Sequence, residues 1–202
     1  MSVDIDETAS VHESTVLAES VSIGHCSKVG LGASPDEPTR IGKGVRIGAF
    51  CLIEGDVELG DGVEIDHYCR ISWGVKIGAN SRVLYGAQVY DEAVIGKNCI
   101  VSGEIVDRAV IGDNVTFQGE MAHAHADATG DWDETVEPSP VILNGSVVGV
   151  RALIIGGITV GPRAYIAAGE RITCDVQREM VVCNGQSRPL ADWRGMIKVR
   201  DE

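Results

Sequence analysis

Ile41-Gly42-Lys43-Gly44-Val45-Arg46-Ile47-Gly48-Ala49-Phe50-Cys51-Leu52-Ile53 decides the fold, because an aliphatic residue returns at every sixth position. Stepping by six in both directions gives Ile5, Val11, Leu17, Ile23, Val29, Pro35, Ile41, Ile47, Ile53, Leu59, Ile65, Ile71, Ile77, Val83, Val89, Ile95 and Val101, and only Pro35 breaks the rule. The fifth residue of each hexad is small or β-branched from Ala9 to Cys99, and glycine often follows the aliphatic, as at Gly24, Gly42, Gly60 and Gly78. A helix of period 3.6 drifts out of phase at each such step. A hairpin of long strands needs period two instead. Short strands joined by turns satisfy the sixfold rule. Each hexad sends one aliphatic and one small residue inward, and coils stacked about 4.8 Å apart bury continuous ladders of Ile and Val. The pattern predicts an all-β parallel solenoid.

The phase breaks twice. Asp107 stands where the next aliphatic is due, and the pattern resumes two residues out of step as Ile105, Ile111 and Phe117. It vanishes over 118–140 and returns as Ile142, Val148, Ile154, Val160, Ile166 and Ile172. Residues 32–38, rich in Gly, Ser and Pro, read as a surface loop. The expected organisation is a β-helix of about eight coils over 1–177 with an inserted loop at 118–141. A tail over 178–202, with Trp193 and alternating charges, is expected to cap the open end.

Composition bounds the function. Of 202 residues 44% are hydrophobic but only 4% aromatic, so the core must be built from Val, Ile and Ala. Thirty acidic residues against 17 basic ones give a formal charge of −13, which argues against nucleic acid or an anionic membrane surface as the main partner. No apolar run approaches the roughly 20 residues that span a bilayer, and the acidic start does not read as a secretory signal. The six cysteines (26, 51, 69, 99, 174, 183) contain no Cys-x-x-Cys spacing. Cys51, Cys69 and Cys99 fall at the small inward slot and read as core residues. The expectation is a cytoplasmic protein with reduced thiols.

The hexads resemble those of the hexapeptide-repeat acyltransferases, whose signature is aliphatic-Gly-x-x-small-x. The match is strongest late. Val148-Gly149-Val150-Arg151-Ala152-Leu153-Ile154-Ile155-Gly156-Gly157-Ile158-Thr159-Val160-Gly161 is similar to the family's penultimate coil, and Ala164-Tyr165-Ile166-Ala167-Ala168-Gly169 to its last. The family's usual exit, Val-Val-Gly-Asn-Pro-Ala, stands here as Val181-Val182-Cys183-Asn184-Gly185-Gln186. The resemblance implies a left-handed parallel β-helix with three hexads per coil and a homotrimer. It also implies transfer of an acyl group from acetyl-CoA to a hydroxyl or amine of a small-molecule acceptor such as a sugar or nucleotide-sugar.

Acyl transfer from a thioester needs a base for the acceptor's proton and a place for the donor. His12, His25 and His67 sit at turn positions of the regular repeat and read as exposed turn residues. His123 and His125 stand where the repeat dissolves, at the entry to the one long loop, and are the candidate bases, with Asp127 as the carboxylate that orients them. Gly149, Arg151, Ala152, Gly157, Arg163, Ala167, Ala168 and Arg171 are the candidate donor-binding residues. The small ones would let the pantetheine arm approach the backbone, and the arginines would meet its phosphates. The His-x-His spacing also admits a zinc hydro-lyase of the γ-carbonic-anhydrase kind. His25 and His67 are seven hexads apart, however, which is not a whole number of coils, so no metal is expected. A non-catalytic scaffold is the remaining alternative.

Overall fold

The computed structural model describes residues 3–124 and 137–194. Its strands, mostly two residues long, stack into three parallel sheets. Sheet A begins with Asp4–Ile5, Ser22–Ile23 and Arg46–Ile47, sheet B with Ser10–Val11, Lys28–Leu31 and Leu52–Glu54, and sheet C with Val16–Leu17, Arg40–Ile41 and Glu58–Leu59. The chain visits A, B and C in turn, so each circuit is one coil of a β-solenoid. Sheet B holds nine strands, which makes nine coils where the sequence suggested eight.

Each two-residue strand sends its second residue inward. Ile47, Ile65, Val83 and Val101 stack in sheet A, and Ile53, Ile71, Val89 and Ile105 in sheet B. All are buried, together with the small column that includes Val45, Val63, Ser81 and Cys99. Filling an interior this narrow takes β-branched and small side chains, and burying each Ile or Val contributes about 1.5–3 kcal/mol. Ser81 and Ser27 join the core without penalty because their hydroxyls donate to Gly96 and Gly48 carbonyls at 2.7 Å. Among the described residues no helix is long and apolar enough to cross a membrane.

Coil length varies, and the variation places the site. A regular coil takes 18 residues, as between Arg46 and Glu64. The second takes 24, as between Ser27 and Cys51, because residues 32–38 bulge at the corner between sheets B and C. Two later turns from sheet A to sheet B are shortened by two residues each. Strands Ile100–Val101 and Glu104–Ile105 are joined by Ser102-Gly103 alone, and Thr116–Phe117 and Glu120–Ala122 by Gln118-Gly119 alone. Gly103 is required there: its φ is +82°, and a Cβ would lie 2.0 Å from the Gly119 carbonyl oxygen. The repeat therefore persists through Ala122, inside the stretch expected as loop. Glu120–Ala122 pairs with Glu104–Ile105 on one side and Leu153–Ile155 on the other. At the far end, Met180–Cys183 adds to sheet A beside Tyr165 and Ile166, then folds back on Gln186–Pro189 as an antiparallel hairpin.

Candidate active site at the corner of sheets B and C

Three successive coils turn from sheet B to sheet C at Asp91, Asp107 and His123. Asp107 follows strand Glu104–Ile105 and His123 follows Glu120–Ala122, and these strands pair Glu104 with Glu120. The short coil thus puts Asp107 and His123, 16 residues apart, in the same slot of neighbouring coils. The imidazole Nε2 of His123 lies 2.5 Å from Asp107 Oδ1. The other carboxylate oxygen, Oδ2, is ion-paired with Arg108 Nη2 at 2.6 Å. Ser139, on the returning end of the long loop, donates its hydroxyl to the Asp107 carbonyl at 2.6 Å. Side-chain exposure is 19% for His123 and 32% for Asp107, so the pair is half-buried at the mouth of the loop.

A carboxylate only accepts, so the short contact puts a proton on Nε2, and in the neutral ring Nδ1 then carries the free lone pair. Nδ1 is buried and has no hydrogen-bond partner among the described residues. Leaving such an atom unsatisfied costs about 1–3 kcal/mol. A reactant's hydroxyl or amine would satisfy it. The glycines of the next coil make room for the loop's two ends: a Cβ on Gly156 would lie 3.0 Å from Ala124, and one on Gly157 2.2 Å from Pro138.

Of the expected site residues, His123 is held in a dyad, while His125 and Asp127 lie outside the described residues. The carboxylate on His123 is Asp107, which the sequence reading had noted only as a break in phase. The signal was present, since aligning the short coils on Gly103 and Gly119 superimposes Asp107 on His123.

The expected donor-binding residues do not converge on one surface. Ala152 and Ala167 are buried in the interior. Gly149 backs onto the next coil, where a Cβ would lie 2.6 Å from the Ala168 nitrogen, and Gly157 is covered by Pro138, so the room both glycines leave is filled by protein. Ala168 is exposed at the corner of sheets A and B, on the coil above Arg151. Arg151 and the sheet B residue Arg171 are exposed and make no ion pair among the described residues. Arg163 is on another corner, between sheets C and A, and is paired with Glu179.

The remaining histidines serve the turns. His67 Nδ1 accepts the Ala49 amide of the coil below at 2.7 Å, a contact that Asp61 makes to Lys43 and Asp113 to Lys97. His12 Nδ1 lies 2.9 Å from Ser14 Oγ, and His25 Nδ1 lies 2.7 Å from Thr8 Oγ1. Hydrogen bonds from Thr8 hold the Asp6 carboxyl below its ordinary range. Among the described residues no three His, Cys, Asp or Glu side chains are grouped to hold a metal ion. A groove of about 630 Å³ over sheet A, lined by His25, Arg46, Glu64 and His67, is far down the stack from the dyad. A second, of about 440 Å³, opens at the C-terminal end beside Arg171, Cys174 and Met180.

The sequence pattern of the bacterial transferase hexapeptide (six repeats) matches residues 38–72. That stretch supplies the strands Arg40–Ile41 to Arg70–Ile71 of the stack. This repeat protein superposes on the UDP-N-acetylglucosamine acyltransferase of Francisella novicida with a TM-score of 0.67 and 19% identity, over 92% of this chain and 69% of that one. It superposes on LpxA from Acinetobacter baumannii with a TM-score of 0.55 and 15% identity, over 91% of this chain and 72% of that one. At such identities the likeness is one of fold. No curated protein matches the hexapeptide-repeat chain in sequence.

Proposed function

We propose that the protein is an acyltransferase that moves an acyl group, acetyl in the simplest case, from a coenzyme A thioester to a hydroxyl or amine of a sugar, nucleotide-sugar or other small metabolite. The observation that carries this reading is the dyad: His123 held 2.5 Å from Asp107 at the mouth of the long loop, with its second nitrogen unpartnered. His123 takes the acceptor's proton as the acceptor oxygen or nitrogen bonds to the thioester carbonyl carbon. When the carbon–sulfur bond breaks, the imidazolium returns that proton to the leaving thiolate. Asp107 holds the ring and stabilises the imidazolium. The solved acyltransferases of like fold support this reading over a scaffold. Arg151 and Arg171, two exposed cations with no ion pair among the described residues, fit the donor's phosphates on an acidic protein, whereas Arg163 is already paired with Glu179. A homotrimer is part of the same reading.

The test is a screen of acceptors with acetyl-CoA, reading the thiol released, alongside the melting temperature with and without coenzyme A. Thiol release that needs both donor and acceptor, with a rise in melting temperature at saturating coenzyme A, is expected. Neither signal across sugars, amino sugars, nucleotide-sugars and amino acids would overturn the reading.

A further inference from the structure

We propose that the reacting atom of this site is Nδ1 of His123, not Nε2, and that Arg108 is a positioning residue that fixes this arrangement through Asp107. The catalytic half rests on the acyltransfer reading; the arrangement of the ring does not. In the Ser-His-Asp arrangement the carboxylate holds Nδ1 and the chemistry occurs at Nε2. Here the backbone imposes the reverse. Asp107 occupies the same slot as His123 one coil below, and the carboxylate meets Nε2 at 2.5 Å. The nitrogen nearer the backbone is left facing away from it, buried and without a partner.

Three contacts keep Asp107 from turning away. Oδ1 is engaged by His123 and Oδ2 by Arg108 at 2.6 Å, so both oxygens are committed, and Ser139 holds its carbonyl at 2.6 Å. Arg108 itself sits at φ +55°, a left-handed conformation that few residues other than glycine, Asn and Asp adopt readily. With the guanidinium gone, the carboxylate is free to rotate, and the ring is free to flip or to exchange tautomers.

In the reaction the acceptor's O–H or N–H donates to Nδ1, and that bond breaks as the acceptor bonds to the acyl carbon. The proton then passes from Nδ1 to the sulfur as the thioester C–S bond breaks. Nε2 keeps its proton throughout.

The experiment uses the full chain labelled with ¹⁵N at histidine, without substrate, and correlates ring protons with ring nitrogens. His123 signals are assigned by their loss in His123→Gln. The expected spectrum shows Nε2 protonated and Nδ1 bare; a protonated Nδ1 overturns the proposal. In Arg108→Gln, checked for an unchanged melt, the single tautomer should give way to a mixture, and Arg108→Lys should restore it. With a confirmed acceptor, Arg108→Gln should lower kcat by about 10- to 100-fold with KM unchanged. An unaltered spectrum and kcat in Arg108→Gln overturn the role of Arg108. A bare Nδ1 together with full turnover in His123→Ala overturns Nδ1 as a reacting atom along with the acyltransfer role of His123. A protonated Nδ1 with an inactive His123→Ala overturns this proposal alone and leaves the acyltransfer reading standing.

Discussion

His123 is one of two histidines at the loop's entry, and its environment sets it apart from those in the turns. His67 spends its Nδ1 on the Ala49 amide, whereas His123 keeps Nδ1 unpartnered and Nε2 on a carboxylate. His123→Ala should therefore lower turnover by about 10² to 10⁴, the usual share of a general base, without moving the melt. Asp107→Asn keeps the shape but loses the charge, and should give a smaller loss in kcat with little change in KM. Steady-state kinetics with the acceptor found by thiol release check both. Equal activity in His123→Ala and wild type would remove the base from this corner. His123 was legible because it borders the only long gap in the repeat. Its partner Asp107 was not, because in sequence it stands only as a break in phase 16 residues away, and Asp127 lies outside the described residues. Residues that meet across coils are a coil length apart in sequence, and that length is 16 here, 18 in a regular coil, 24 across residues 32–38 and 31 across the long loop.

At the scale of the strands, the hexad register carries the stability. Ile65 lies buried between Ile47 and Val83, while Glu64, one residue earlier, faces out and bridges Arg46 and Arg82. Ile65→Asp should cost roughly 3–5 kcal/mol, because a charge without a partner enters the aliphatic ladder. Glu64→Ala removes exposed ion pairs worth about 0–1 kcal/mol. Denaturant titration separates the two, and similar losses would mean the register is wrong. The same register sorts the thiols. Cys51, Cys69, Cys99 and Cys183 are buried; Cys26 and Cys174 are exposed. The neighbouring Cys51 side chain, together with burial, pushes the Cys69 thiol up, and burial does the same to Cys99. A raised thiol holds less thiolate at neutral pH and reacts more slowly. Two thiols per chain should react quickly with an aromatic disulfide in the native protein, and six after unfolding. The ladders were readable because period six admits few other folds. The ninth coil was missed because the two-residue turn at Gln118-Gly119 brings Met121 only four residues after Phe117, which hides Glu120–Ala122 from a sixfold count.

On the scale of the molecule, the solenoid leaves one of its corners aromatic and exposed. Where sheet A turns into sheet B, Phe50, Tyr68 and Tyr85 form a ladder, with Phe50 and Tyr68 stacked at 5.0 Å and Tyr85 66% exposed. Leu84 and Val150 extend this edge, and Val150 is 53% exposed. Tyr90 and Ile155 belong to the other corner, between sheets B and C, on either side of the dyad. Phe50 and Tyr68 also hold left-handed φ values of +58° and +61°, positions that Asn80, Asn98 and Asn114 fill elsewhere. A monomer would leave these aromatic rings in water. In a closed ring of heterologous contacts each copy offers one edge to its neighbour and receives another, and the aromatic ladder is the edge this chain offers. Three copies close such a ring around a three-sided prism. Sedimentation at micromolar concentration should therefore show a trimer. Tyr85→Ser with Val150→Ser should shift it toward monomer without unfolding the coils, since both side chains lie outside the core. The acidic charge of −13 sets the salt dependence: like-charged chains repel, so added salt should favour the trimer. A wild-type monomer at every salt concentration would leave the aromatic ladder without a role in assembly and would remove the trimer from the proposed function.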